Sequence, residues 1–260
     1  MRKTNALRYL LLSFFILMTL VTQAVRAQDE NSSVRAISLN DEGVRQINIQ
    51  KYESASELFE QAVRLQPNYA TAYYNLGTAY YYLLKFEKSI GAFQRAINIY
   101  PNYPEAYNQL GLVYAETGQY EKAIELFKQS IRLKNNNPTG LYNLGCIYIR
   151  QKNFKDAIEL LEQAVQLNEN NVEIRLNLGY AYSREKRYGE AIRETKRAVE
   201  LKPDDEQVQM NLISLYLLTK NRESALAHYA LVKKTNPFLA EKIYQTIYQG
   251  KIIIVSKKQL

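Results

Sequence analysis

Apolar and polar positions follow a helical period over most of the chain. Between Ala106 and Asn137, Tyr107, Leu110 and Tyr114 share one helical face. Ala123, Phe127 and Ser130 or Ile131 share a second. "TGQY" at 117–120 breaks the chain between them, and the Asn/Pro segment 135–138 ends the second stretch. The pattern predicts two short helices, A and B, separated by a tight turn.

That unit recurs. Gly43, Gly77, Gly111, Gly145 and Gly179 are each 34 residues apart, and they are five of only ten glycines. Leu76, Leu110, Leu144, Leu178 and Leu212 precede the same position, and Tyr80, Tyr114, Tyr148, Tyr182 and Tyr216 follow it. Small residues form two columns, Ala55, Ser89, Ala123, Ala157, Ala191 and Ala225, then Ala62, Ala96, Ser130, Ala164 and Ala198. Pro67, Pro101, Pro203 and Pro237 close the unit. A lone helix pair cannot bury its apolar face, but stacked neighbours can.

The period and these columns resemble the tetratricopeptide repeat, most closely in "AYNQLGLVYAETGQYEKAIELFKQSIRLKNNN". The resemblance covers six units, 36–69, 70–103, 104–137, 138–171, 172–205 and 206–239. It implies an all-α fold, a right-handed superhelical solenoid whose A helices line a concave groove. "PFLAEKIYQTIYQG" (Pro237 to Gly250) reads as a further amphipathic helix that shields the last apolar face. The β-prone tail "KIIIVSKK" within 240–260 either covers that end or offers an edge to a partner strand.

By the same resemblance, the second, fifth, sixth, ninth, twelfth and thirteenth positions of each unit point into the groove. That makes Tyr74, Tyr81, Tyr82, Tyr142 and Tyr180 candidates for binding, with space-filling between A helices as the alternative for Tyr74 and Tyr81. Asn75, Asn143, Asn177 and Asn211 occupy the sixth position, with Gln109 in the remaining internal unit. Such a ladder either grips the backbone of an extended peptide, with Asn143 and Asn177 exposed, or bonds the neighbouring helix. Arg150 and Arg184 at the thirteenth position form a basic spot suited to an acidic side chain or a C-terminal carboxylate. The family's clamp for chaperone C-termini needs a basic fifth residue and Asn at the ninth. Tyr74, Asn108 and Tyr142, with Thr78, Leu112 and Cys146, stand there instead, so that partner is not supported.

Composition narrows the partner. The first 27 residues have a basic start, an uncharged apolar run and Val25-Arg26-Ala27, the three parts of a secretory signal peptide. The alternative is an uncleaved anchor, the one route by which the chain would touch a membrane; residues 28–35 are a short leader. Without those 27 residues, thirty basic side chains face twenty-six acidic ones, interspersed, which is not a nucleic-acid footprint. Cys146 is the only cysteine and His228, read as a surface or cap residue, the only histidine. No catalytic pair, metal cluster or phosphate loop stands out, so neither an enzyme nor a cofactor is implied. The expectation is an exported adaptor that binds an extended protein segment, with periplasm the better fit. The alternative is a structural scaffold that self-associates through its C-terminal tail. Six units also resemble the size of the pilotins of type IV pilus secretins, but no lipid-bearing cysteine follows the apolar run. Cleavage after Ala27 makes Gln28 the first residue of the exported protein. Intact-mass spectrometry should find that terminus, and a membrane-bound chain keeping residues 1–27 would contradict it.

Overall fold

The computed structural model describes residues 30–249, together with residues 18, 19, 22 and 23. The signal segment lies almost wholly outside the described residues, and the tail from Gly250 onward entirely so. Among the described residues every regular element is a helix. In order they are α1 (30–48), α2 (Tyr52–Leu65), α3 (Ala70–Tyr82), α4 (Phe86–Ile99), α5 (Pro104–Glu116), α6 (Tyr120–Leu133) and α7 (Pro138–Arg150). They continue with α8 (Phe154–Leu167), α9 (Val172–Arg184), α10 (Tyr188–Leu201), α11 (Glu206–Leu218), α12 (Arg222–Thr235) and α13 (Pro237–Gln249). Odd-numbered helices up to α11 are A helices and even-numbered ones B helices. The chain forms two compact units, Met1–Gln109 and Leu110–Leu260, the division falling within α5.

The glycine column has one cause. In each of the first five repeats the side chain sixteen residues later, on helix B, packs against the bare glycine backbone of helix A. A Cβ on Gly43, Gly77 or Gly111 would lie 2.5, 2.8 or 2.6 Å from a ring atom of Phe59, Phe93 or Phe127. All three rings are fully buried. Leu161 and Thr195 take the ring's place opposite Gly145 and Gly179, each 2.9 Å from the added atom. The small-residue columns work the same way, because Ala55, Ser89, Ala123, Ala157, Ala191 and Ala225 are all fully buried. Ser89 also donates its hydroxyl to the Gly77 carbonyl at 2.8 Å, tying α3 to α4.

The A–B turns repeat equally strictly. Gln50, Leu84, Gly118, Lys152, Lys186 and Lys220, each 34 residues after the last, have φ between 57° and 77°. Each is the left-handed residue that closes helix A. In the second repeat Lys85 N–H donates to the Tyr80 carbonyl and Leu84 N–H to the Tyr81 carbonyl, both at 2.9 Å. Only one of the six positions is glycine, so the tertiary fold imposes a conformation that local sequence disfavours. Between repeats of the second unit, Asn137, Asn171, Asp205 and Asn236 cap the next helix by accepting from the backbone N–H of Gly140, Ile174, Val208 and Leu239.

Two repeats carry a polar pair where apolar residues pack elsewhere. Arg175 of α9 forms a buried ion pair with Glu194 of α10 and donates from Nε to the Glu169 carbonyl at 2.8 Å. One repeat on, Gln209 bonds His228 and donates to the Pro203 carbonyl at 2.6 Å. Both side chains reach six residues back to the inter-repeat turn and nineteen residues forward to helix B. His228, read from the sequence as a surface or cap residue, is half-buried in the last repeat and packed on Gln209. Burial, then the nearby Lys196, lowers its pKa. At the end of the array, Leu239, Ala240, Ile243 and Ile247 of α13 pack on Leu212, Ile213, Tyr216 and Val232. The predicted terminal helix thus shields the last repeat's apolar face.

Two glycine substitutions separate the two roles. Alanine is the better helix former by about 1 kcal/mol, yet in Gly111→Ala the new Cβ overlaps Phe127. Overpacking of about 1–3 kcal/mol should prevail, with faster hydrogen exchange in α5 and α6. Gly118→Ala meets nothing within 4 Å and should lose about 1 kcal/mol from its positive φ alone. A stabilised Gly111→Ala in urea unfolding would contradict the packing account.

Candidate peptide-binding surface

The helix A side chains sort into those engaged by the next repeat and those left outward. Sixth-position amides belong to the first group. Asn75 donates to Asn40 Oδ1 at 2.8 Å, Gln109 bonds the Tyr74 phenol, and Asn177 donates to the Tyr142 hydroxyl at 3.3 Å. In each case the partner stands 35 residues earlier, at the fifth position of the preceding A helix. Asn177 also donates to the Glu173 carbonyl at 2.9 Å. Asn143 and Asn177, expected to be exposed, are 4% and 2% exposed. Asn108 and Asn211 are buried as well, and Gln207 donates to Asn211 at 3.0 Å. The correction has a plain reason: neighbouring A helices approach closely, and an amide supplies the donor that the facing side chain needs. At Asn75, Gln109 and Asn177 the ladder is a contact between repeats, and at Asn211 the bond shown lies within α11.

In the first unit the outward positions are aromatic. Tyr52, the first residue of α2, stacks on Tyr82 with centroids 4.7 Å apart and planes at 16°. Tyr81 packs edge-on against Tyr82 at 5.7 Å and near Phe86 at 6.3 Å. Tyr74 sits 5.2 Å from Tyr103 and 5.7 Å from Phe93, and Tyr100 adds a ring 5.7 Å from Tyr103. Burial beside these rings pushes the Tyr103 phenol up to about 12 and also raises Tyr74. Tyr82 and Tyr100 remain about half exposed, at 51% and 52%. Tyr74 and Tyr81 therefore do fill space within the helix array, while Tyr82 presents a face to solvent. Tyr100 and Tyr103 were not among the sequence candidates, because they lie at the inter-repeat turn.

At Arg150 and Arg184 of the second unit the thirteenth position is arginine in place of Tyr82, with the same aromatic partner at the start of helix B. Arg150 donates from Nη1 to the Tyr120 hydroxyl at 3.3 Å. Arg184 lies 5.0 Å over the Phe154 ring and 5.9 Å over Tyr180, whose hydroxyl accepts from its Nη1 at 3.3 Å. The aromatic at the start of helix B thus holds the residue thirty positions later in Tyr52–Tyr82, Tyr120–Arg150 and Phe154–Arg184 alike. Both arginines are exposed and Tyr180 half-buried. Beneath them Tyr142 is half-buried, its phenol raised by burial and by the adjoining Cys146. The Cys146 thiol is itself pushed up to about 12 by burial, so it is no ready nucleophile.

Among the described residues no group of three His, Cys, Asp or Glu side chains is placed to hold a metal ion, and no helix is long and apolar enough to cross a membrane. Family models described as tetratricopeptide repeat match residues 68–136, 104–170 and 148–212, and a model described as TPR repeat matches 49–83. Together they span well over half of the sequence, and the chain belongs to the tetratricopeptide-repeat family. No curated protein matches it. Among solved structures, pilF of Pseudomonas aeruginosa is 17% identical, with a TM-score of 0.71 over 85% of this chain and 100% of that one. TTC0263 of Thermus thermophilus, a thermophilic TPR protein, is 23% identical, with a TM-score of 0.57 over 70% of this chain and 99% of that one. Both likenesses establish the fold alone. YrrB, a TPR protein with an unusual peptide-binding site, is 25% identical, with a TM-score of 0.59 over 73% of this chain and 99% of that one.

Because Asn177 is bonded and Asn143 is buried at the equivalent position one repeat earlier, Asn177→Ala should lower stability in urea by about 1 kcal/mol per lost bond, and adding Asn143→Ala should lower it further. An unchanged midpoint together with impaired peptide binding would restore the ladder as a ligand site.

Proposed function

We propose that the protein is an exported, non-catalytic interaction module that holds an extended segment of a partner protein along the outward face of its A helices. One observation carries this reading. On successive A helices of the second unit, the exposed Arg150 and Arg184 stand with the half-buried rings of Tyr142 and Tyr180, while the Asn177 amide is engaged in packing. Tyrosine and arginine are the side chains that most often anchor protein interfaces, since both give large contact area and oriented hydrogen bonds. The likeness to YrrB, which has a peptide-binding site, supports a peptide ligand. Export rests on the basic-apolar-small pattern of residues 1–27, and a cell-envelope assembly is the setting that export suggests. The interspersed charge favours protein over nucleic acid.

A second reading draws on α13. Phe238, Tyr244 and Tyr248 are 75%, 41% and 54% exposed on its outer side, a patch suited to a self-associating scaffold. Light scattering separates the two, because a monomer at working concentration excludes the scaffold.

The primary reading is tested with a photoreactive phenylalanine analogue at position 142, 180 or 163 in cells that make the protein. Positions 142 and 180 should yield the same cross-linked partner. Gln163, exposed on helix B α8, should yield none. Adducts from 163 alone, or from all three equally, would move the binding face off the A helices.

A further inference from the structure

We propose that the A–B turns of the fourth, fifth and sixth repeats form an edge that docks on an anionic lipid surface, with Lys152, Lys186 and Lys220 as its contacts. This edge lies at the ends of the A helices, not along them. It adds to the membrane contact through residues 1–27 that the sequence pattern allows.

Charges that are interspersed along the chain segregate in the fold. Ile149, Tyr182 and Leu215, from the last turns of α7, α9 and α11, share one core cluster. The three A–B turns that follow them therefore lie side by side on one edge of the second unit. Residues 150–156, 184–190 and 218–224 carry eight basic and four acidic side chains. The two inter-repeat turns between these repeats, 168–174 and 202–208, lie at the opposite ends of the helices and carry one basic and five acidic side chains. One edge is net positive and the other net negative.

Fold stability does not account for the positive edge. Lys152, Lys186 and Lys220 are the left-handed residues of their turns, with φ of 61°, 61° and 58°. Glycine is favoured in that conformation, and Gly118 holds the place in the third repeat. Arg187 stands at the N-cap of α10 and Arg222 is the first residue of α12. A cation at a helix N-terminus opposes the helix dipole. All three lysines are exposed, and among the described residues their ammonium groups have no carboxylate or hydrogen-bond partner. Charge kept against local preference and left unpaired is available to an anionic partner.

Lysine selects the kind of partner. Protein interfaces favour arginine and aromatic side chains and are depleted in lysine. The lysine ammonium is a flexible, strongly hydrated point charge, suited to a diffuse anionic surface more than to a shaped pocket. Adjacent helix axes stand about 8–10 Å apart, so the row of three spans about 20 Å. Its steps match the screening length of about 10 Å at about 0.1 M salt, so at lower salt the three act as one patch. Leu218 and Tyr248, 38% and 54% exposed, stand at the same edge. The Tyr248 ring lies 4.9 Å beneath Arg222. A phenol beside basic side chains suits the headgroup layer of a bilayer. Each lysine at an anionic lipid surface strengthens binding about fivefold.

The test is co-sedimentation of the full chain, as recovered from producing cells, with vesicles of phosphatidylcholine alone or with about one third phosphatidylglycerol. At low salt the wild type should prefer the anionic vesicles by at least about 100-fold. Raising salt to about 0.5 M should remove most of that preference. Lys152→Gln with Lys186→Gln and Lys220→Gln should cut it at least about tenfold. Glutamine already stands at this turn position as Gln50. Arginine at all three positions should keep the preference. Glycine at all three should cut it as far as glutamine does while raising stability in urea, which separates lost binding from lost folding. Lys196→Gln with Lys233→Gln and Lys234→Gln, exposed on helices α10 and α12 away from that edge, should cost less than about threefold. The proposal is overturned if the two vesicles bind alike, if salt has no effect, or if the two glutamine triples weaken binding equally. It is overturned equally if the Lys152, Lys186 and Lys220 triple keeps its vesicle binding and loses only the capture of polyglutamate, which would make the edge a site for acidic protein.

Discussion

The contact between a bare glycine backbone and the side chain sixteen residues later is the constraint on which the rest depends. With a Phe ring or its Leu or Thr substitute seated on helix A, the separation and rotation of the two helices are set. Rotation then decides what each remaining face of helix A does. One face turns to helix B, and a second turns to the preceding A helix, where amides bond fifth-position side chains. The remainder points outward. A side chain's role follows from its angle around that axis, and residue type matters only afterwards.

This explains why some of the protein was legible in the sequence and some was not. Glycine, alanine and leucine columns report sterics that admit few substitutes, so the repeat, the helices and α13 could be inferred from spacing alone. The amides could not be placed, since Asn serves equally to hold a peptide or a neighbouring helix. Their partners, Asn40, Tyr74 and Tyr142, form no column of one type and stand at an offset of 35, not 34. Gln50, Leu84, Lys152, Lys186 and Lys220 escaped notice for a related reason. Their left-handed backbone is imposed by the packed helices on either side, and no glycine advertises it. His228 looked peripheral because its partner Gln209 lies nineteen residues away, beyond any local pattern.

Within the outward face, the two units differ in chemistry while keeping one geometry. The aromatic that opens helix B supports Tyr82 in the first unit and arginines in the second. A single mounting position has thus been fitted with a ring or a guanidinium, both preordered and both suited to interfaces. The buried pair Arg175–Glu194 takes no part in this, being sealed between α9 and α10. Removing one partner there would strand a charge and weaken the fold without touching the ligand.

The central claim is that a partner lies along the outward face of the A helices. Hydrogen exchange of the full chain, free and saturated with its cross-linked partner, tests it most directly. The account predicts slowed exchange concentrated in α7 and α9, strongest toward Arg150 and Arg184, with α8 and α10 little changed. Protection confined to the B helices or to α13 would contradict it.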